Sequence, residues 1–270
     1  MKCSKHTKPW ESSISWKSDL QIHESNTAVV SEEQYGTLFL VSTPIGNLKD
    51  ITLRAVETLR AVDLIAAEDT RRAAILLQHY DIRKPTISYH NFNERKAAPR
   101  LLAELRAGKS VALITDAGTP GISDPAFYLV REALAHALPL EAIPGPAAFV
   151  PALILSGLPT DRFVFEGFPP VKKGRQTFFQ ELKHERRTIV LYESPQRVLR
   201  TLTAVLEIWG DRRVALAREL TKLHEETLRG RVSELLDILQ NRTLKGECVL
   251  VIAGAEPRRE RSAAPETPPG

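Results

Sequence analysis

VALITDAGTPGISDPAFYLVREALAHA, residues 111–137, carries an entire α/β unit in one stretch. Val111–Thr115 is a continuous apolar run bounded by turn residues, which reads as a buried strand. Phe127–Ala137 has its apolar residues at helical spacing. Asp124 and Pro125 form the cap and first-turn pair that opens a helix. The eight residues before Asp124 exceed what a plain strand-to-helix connection needs, and Gly118, Pro120 and Gly121 shape them. In open α/β sheets, ligands bind beyond the carboxyl ends of the strands, which is where this loop falls.

Working outward, the same alternation continues on both sides. Leu38–Ser42, Leu64–Ala67, Thr86–Tyr89 and Leu140–Ile143 read as strands. Leu53, Val56, Leu59 and Val62 recur at helical spacing, and further helices are predicted at about 70–79, 93–107 and 147–155. Downstream, Phe163–Glu166, Thr188–Tyr192, Arg213–Ala217 and Cys248–Ala253 read as strands, with helices near 175–185, 197–208 and 232–240. Continuous Val/Ile/Leu strands between helices indicate sheets covered on both faces. Gly157-Leu158-Pro159 follows a helix and contains both breakers. Two α/β domains with mixed, largely parallel sheets flanked by helices are therefore expected, at residues 36–157 and 158–254. Residues 1–35 are polar and without period; they read as a disordered extension or as the product of a start codon set too early. Residues 255–270 hold four prolines among charges and read as a disordered tail.

The 270 residues are 43% hydrophobic and 26% charged, ordinary for a globular chain. The net charge of +4 is unevenly spread. Between Pro170 and Val232 there are fourteen Lys and Arg against eight Asp and Glu, so this segment holds all of the positive excess. It suits a polyanionic partner, and equally a solvated basic face. Two cysteines, Cys3 and Cys248, build neither a disulfide framework nor a four-ligand zinc site, so no metal is expected. A reducing, cytoplasmic setting is expected. No signal-peptide core or membrane span is legible.

Four strand-to-helix junctions are candidates for chemistry. Ser42–Asn47 contains Pro44, Ile45 and Gly46; it is neither a GxGxxG nor a P-loop, and alone it also reads as a tight turn. Thr115–Pro125 offers several backbone amides and carbonyls suited to a nucleoside, with a purely structural loop as the alternative. Ile143–Ala148 contains Pro144, Gly145 and the small Ala147, which leave room for a flat or aliphatic ligand part or for close packing. Tyr192–Arg197 places Glu193 at a strand end facing the cleft, with a surface carboxylate near basic neighbours as the favoured alternative. Two charged clusters, Glu68-Asp69-Thr70-Arg71-Arg72 and Arg218-Glu219-Leu220-Thr221-Lys222, also end strands; acids there also complement a helix dipole.

STPIGNLKDIT, LIAAEDTRR, ITDAGTPGISDP, IPGPAA, DRFVFEGFP, LYESPQR, ARELTKLHEE and KGECVLVIAG occur in this order. Together they resemble the ribosomal RNA small subunit methyltransferase I family of the tetrapyrrole methylase superfamily, from about Gly36 to Gly254. The resemblance implies S-adenosyl-L-methionine as cofactor, held in a cleft between the two domains. It implies methylation of the ribose 2′-hydroxyl of a cytidine in the decoding region of small-subunit ribosomal RNA, and a homodimer. The cofactor residues it implies are Pro44, Ile45, Gly46, Gly118, Thr119, Pro120, Ile122, Pro144, Gly145 and Ala147. Thr119 stands where the tetrapyrrole branch has an acid, so no carboxylate contact carries over there.

Methyl transfer is an in-line displacement, accelerated by alignment of the reactants. A ribose hydroxyl also needs a base. Asp69, Glu193 and Glu219 are the candidate bases, with Arg71 or Lys222 holding phosphate or aligning the acid. The stretch Lys172–Arg231 is expected to bind rRNA phosphates. The alternatives are a tetrapyrrole or other small-molecule methyltransferase, which Thr119 and the basic second half disfavour, and a non-catalytic ribosome-assembly factor, which has no use for a cofactor cradle.

Overall fold

The computed structural model describes residues 35–256; the expectations for residues 1–34 and 257–270 lie outside them. The first sheet contains β1 (Leu38–Val41), β2 (Leu64–Ala67), β3 (Thr86–Ser88), β4 (Val111–Ile114) and β5 (Leu140–Ile143) in the order β3-β2-β4-β1-β5. Every pairing in it is parallel. Helices α1 (Leu53–Ala61), α2 (Thr70–His79), α3 (Glu94–Arg106) and α4 (Ala126–Ala135) cover it.

Strand β4 shows why the apolar run is continuous. All four of its residues are buried. Val111 and Leu113 pack with Leu101, Leu105 and Leu129 of α3 and α4. Ala112 and Ile114 pack on the other face with Val56, Leu59 and Leu77 of α1 and α2. Alternate side chains point to opposite faces, and both faces are covered, so no position is left for a polar residue.

The second sheet contains β6 (Phe163–Phe165), β7 (Thr188–Glu193), β8 (Arg213–Arg218), β9 (Glu226–Arg231) and β10 (Cys248–Ile252), in the order β6-β7-β10-β8-β9. Only β6 and β7 pair in parallel; the other three pairings are antiparallel. The same alternation recurs in β10. Cys248, Leu250 and Ile252 join the core with α6 (Arg175–Glu181), α7 (Val198–Trp209) and α8 (Val232–Leu239), whereas Val249 and Val251 face α5 (Phe149–Ser156).

Helix α5 precedes the second sheet in sequence but packs on it, with Ala152 and Leu153 against Val190, Ala215 and Val251. Gly157 ends this helix in the left-handed region, at φ 69. The Gly157–Pro159 breakers thus mark a helix cap, and the packing of the second sheet begins before them. Ile45, from the loop after β1, is buried in the same cluster and fastens that loop to the second sheet. Among the described residues no helix is long and apolar enough to cross a membrane.

Three local differences from the sequence reading have physical causes. Strand β9 was not expected: it is an edge strand reading ETLRGR, paired on one side only, and lacks an apolar run. Helix α4 starts at Ala126 with Pro125 in the cap position. Asp124 instead folds the loop onto the helix, its carboxylate accepting from the Gly121 and Ala126 amides at 2.8 and 3.0 Å. Helix α5 starts at Phe149 and not 147, because Pro146 is held by the neighbouring loop.

Candidate active site

Three loops leave the carboxyl ends of the adjacent strands β4, β1 and β5, and hydrogen bonds knit them together. Thr43 and Gly118 exchange backbone bonds in both directions, at 2.9 and 3.0 Å. The Thr43 hydroxyl donates to the Thr115 carbonyl at 3.2 Å. The Ser42 hydroxyl donates to Thr119 Oγ1 at 3.0 Å, and Thr119 Oγ1 donates to the Pro146 carbonyl at 2.9 Å. Two glycines make this possible. Gly118 sits at φ +90, where L side chains are strained, and a Cβ on Gly145 would lie 2.7 Å from the Ser42 Cβ.

Across a cavity of about 440 Å³ stands the second sheet. Its wall consists of Tyr192–Pro195 at the end of β7 and Gly246–Val249 entering β10, with Phe168 beside them. Phe165 and Phe168 pack against the Tyr192 ring at 4.9 and 5.5 Å, and the Tyr192 hydroxyl accepts from the Phe149 amide at 3.3 Å. Burial pushes the Cys248 thiol up to about 11, so it stays protonated and serves as apolar wall.

One end of the cavity is charged, with Glu68, Arg72, Asp116 and Asp124. Arg72 pairs with Asp116 at 3.2 Å, and the Asp116 amide points at Glu68 Oε2 from 3.4 Å. Burial raises the Glu68 pKa, the Asp116 amide works against this, and the charges of Asp116 and Asp124 add to the rise.

Of the cofactor residues expected from sequence, Ile45, Gly118, Thr119, Ile122 and Ala147 line this cavity. Pro44, Gly46, Pro120, Pro144 and Gly145 belong to the same loops but stand outside the lining. Of the expected catalytic residues, Glu193 alone lines it. Asp69 is hydrogen-bonded by Arg71 through its Nε at 3.1 Å and Nη2 at 2.8 Å; these bonds hold its carboxyl at about 2. Glu219 and Lys222 form a buttress behind the wall: Lys222 Nζ reaches Glu219 and Glu247 at 3.0 and 3.1 Å. Lys222 also covers Gly46, where a Cβ would fall 2.5 Å from its Cγ, and Glu219 packs on Gly246.

Glu193 is 1% exposed and fully engaged. It accepts from the Ser194 amide at 2.9 Å, from Arg197 at 2.6 Å and from the Thr201 hydroxyl at 2.6 Å. Thr201 in turn accepts from Arg175 Nη2 at 2.8 Å. Its carboxylate therefore locks the end of β7 to α7. Thr201→Val leaves Glu193 and Arg175 each short of a buried partner, and is expected to lower unfolding stability by about 1–3 kcal/mol. Denaturant titration checks this; an unchanged midpoint would show that the network is dispensable.

The sequence reading missed Glu68, Arg72, Asp116, Asp124 and Tyr192. Each lay inside a segment already singled out, but no periodicity shows which of two neighbouring acids at a strand end faces a cleft. Gly246 and Glu247 stood within the KGECVLVIAG string, but neither was singled out as a site residue.

Parallel strands delivering glycine-shaped loops to a cleft, with a mainly antiparallel second sheet closing it, define a two-lobed α/β protein of the tetrapyrrole methylase fold. The family model for Tetrapyrrole (Corrin/Porphyrin) Methylases matches residues 37–236. A solved cobalt precorrin-4 methyltransferase superposes with a TM-score of 0.62 at 16% identity, covering 80% of this chain and 94% of that one. A Thermus thermophilus uroporphyrin-III C-methyl transferase complexed with S-adenyl homocysteine gives 0.58 at 18%, covering 81% and 97%. Among curated relatives, the ribosomal RNA small subunit methyltransferase I of Thermotoga maritima is 48% identical over 221 residues, covering 82% of this chain and all of that one. The Synechocystis sp. protein of the same name is 52% identical over 233 residues, covering 86% and 84%. The chain belongs to the ribosomal RNA small subunit methyltransferase I family.

Proposed function

We propose that the cavity between the two sheets holds S-adenosylmethionine and that the chain methylates the ribose 2′-hydroxyl of a cytidine in the decoding region of small-subunit ribosomal RNA. The observation that carries this reading is the three-loop wall, hydrogen-bonded as one unit at the ends of β1, β4 and β5, in a chain about half identical to rRNA methyltransferases along most of its length. The cavity is of nucleoside-ligand size. Its lining also suits the cofactor: Ile45, Ala147, Ala148 and Val249 offer apolar contact, while the 118–122 backbone offers uncharged polar groups. In this reading the working lobes are residues 36–157 and 158–254, with α5 reaching across from the first to pack on the second.

The bound cofactor supplies an electrophilic methyl group on a cationic sulfur. Gly118, Thr119, Ile122, Ile45 and Ala147 would hold it, and Pro44, Gly46, Pro120, Pro144 and Gly145 would shape the loops that do so. Uncharged donors and acceptors suit a positive charge that diminishes towards the transition state, because a strong negative field there would favour the ground state. Glu68, which lines the cavity, would take the proton from the ribose hydroxyl. Arg72 holds Asp116 beside it. Arg71, on the rim, contacts phosphate. Glu219 and Lys222 act as positioning residues through Gly246 and Gly46, and Glu193 through the end of β7.

The exposed Val150 and Ile154 of α5 support a homodimer that covers them, and light scattering tests it. The chain acts in the cytoplasm, where its substrate is made. The decisive experiment incubates the protein with labelled S-adenosylmethionine and either small ribosomal subunits or a porphyrinoid, then maps the modified rRNA by mass. Label on one cytidine ribose is expected; label on the porphyrinoid alone would overturn the reading, and failure to bind the donor would favour a non-catalytic assembly factor.

A further inference from the structure

The second sheet has a groove at the edge opposite the candidate active site. Strand β7 runs from Thr188 in this groove to Glu193 in the active-site wall, and β10 runs back from Cys248 in that wall to Ile252, with Ala253 after it in the groove. At about 3.3 Å per residue, roughly 17 Å of strand separates the two. The groove encloses about 1140 Å³, far more than a single phosphate fills.

Its lining is predominantly cationic. Arg162, Lys183, Arg186, Arg187, Arg212 and Arg213 contribute, with Arg231 at one end. Four acids share the lining, Asp161, Glu185, Asp211 and Glu256; Glu185 is engaged with Arg187 at 2.7 Å and Asp211 with the Ser233 hydroxyl at 2.9 Å. Arg162, Lys183 and Arg186 are exposed and carry no ion pair among the described residues. The frame around them is fixed. Arg212 lies on the Trp209 ring at 5.1 Å and donates to the Ala253 carbonyl at 3.2 Å. Gly254 permits the segment after β10 to cross directly over the Arg186 carbonyl, where a Cβ would fall 1.9 Å away. The side chains thus form a rigid floor with unspent guanidinium and ammonium groups above it. Guanidinium forks match phosphate oxygens bidentately.

We propose that this groove binds the phosphodiester backbone of ribosomal RNA at a point remote from the methylated nucleotide, using Arg162, Lys183 and Arg186 as its phosphate contacts. This rests on the rRNA reading above and narrows it. Six of the fourteen Lys and Arg between Pro170 and Val232 line this one groove. A long polyanion, unlike a free phosphate, spans both this groove and the cleft. The groove therefore sets substrate affinity without touching the reacting atoms.

The test is the Arg162→Ala/Lys183→Ala/Arg186→Ala variant, beside an α3 variant of equal charge loss, Arg95→Ala/Lys96→Ala/Arg100→Ala. Binding of a small-subunit rRNA fragment is followed by fluorescence anisotropy across a salt series, and methylation of small subunits gives KM and kcat. Loss of three phosphate contacts is expected to flatten the slope of log affinity against log salt by about 2 and to raise KM about tenfold or more, with kcat and donor affinity unchanged. The α3 variant is expected to behave as wild type. Equal effects from both variants, or an unaltered salt slope in the groove variant, would overturn the proposal. An acidic peptide that competes while rRNA does not would overturn it as well. If wild type binds rRNA through the groove but methylates none, the catalytic reading fails and the groove stands. Should the triple variant lose its melting transition, Lys183→Glu alone, at an exposed side chain, carries the same test.

Discussion

Glu68→Gln is expected to reduce kcat by about 10²–10³-fold while donor affinity stays as in wild type. Glu68 lines the cavity at the end of β2. It is the lining acid whose affinity for a proton is raised, first by burial and then by the neighbouring Asp116 and Asp124 charges. A base works best when its pKa lies close to the operating pH, so that rise favours Glu68 over its neighbour. Asp69 is held at about 2 by its hydrogen bonds to Arg71 and accepts a proton poorly. Asp69→Asn should therefore cost far less turnover than Glu68→Gln. Single-turnover kinetics on small subunits separates the two; the reverse ranking would sink the assignment.

The pH profile carries the same information with a definite sign. A base must be ionised to act, so kcat falls below the Glu68 pKa, and the rise moves that acid limb above the position of an ordinary glutamate. The limb should vanish in Glu68→Gln. Stability runs the other way. The folded protein holds this proton more tightly than the unfolded chain, so stability contributed at low pH is lost as pH rises through the folded pKa. Glu68→Gln should then melt no lower than wild type at neutral pH. A catalytic defect caused by misfolding would instead lower the melting temperature.

The sequence made the architecture legible where a single physical rule governed it. Strand β4 must be apolar throughout because both its faces are covered, and its boundaries and those of β2 follow from that. Helix α2 begins where Asp69 caps it, its carboxylate accepting from the Arg71 amide. The rule failed for β9, whose edge position permits polar residues on both sides. It also failed to show which sheet α5 would cover. Apolar character says that Ala152 and Leu153 are buried, but not against what. The loops that line the cavity were visible because Gly and Pro mark them locally. The charged side chains were not, because facing a cleft depends on a one-residue phase at a strand end. Glu193 illustrates the point: a strand-end acid beside basic residues reads as readily as a surface carboxylate, yet it is buried and three hydrogen-bond donors, visible only in three dimensions, absorb it.

Gly145→Val and Ala147→Trp are each expected to weaken S-adenosylmethionine binding about 100-fold, by different routes. At Gly145 the branched side chain meets Ser42, whose Cβ lies 2.7 Å from where the new Cβ must go. Ser42 is 1% exposed and continues β1, so it yields little. The loop after β5 has to move instead, carrying the Pro146 carbonyl away from the Thr119 hydroxyl. Overpacking of this kind costs about 1–3 kcal/mol, and the upper part of that range corresponds to about 100-fold in affinity. Because β5 is an edge strand and Gly145 is exposed, the displacement falls on the loop and leaves the sheet intact. Ala147→Trp leaves the contact between Gly145 and Ser42 alone and places an indole in the cavity of about 440 Å³. Calorimetry with the donor reads both variants, and thermal melts confirm that they fold. A cradle made by the joined loops requires both losses. If Gly145→Val alone abolished binding, the loops would matter for folding and not as a wall. If both variants bound as wild type does, the donor would have to lie outside the cleft, and the catalytic assignment of Glu68 would fall with it.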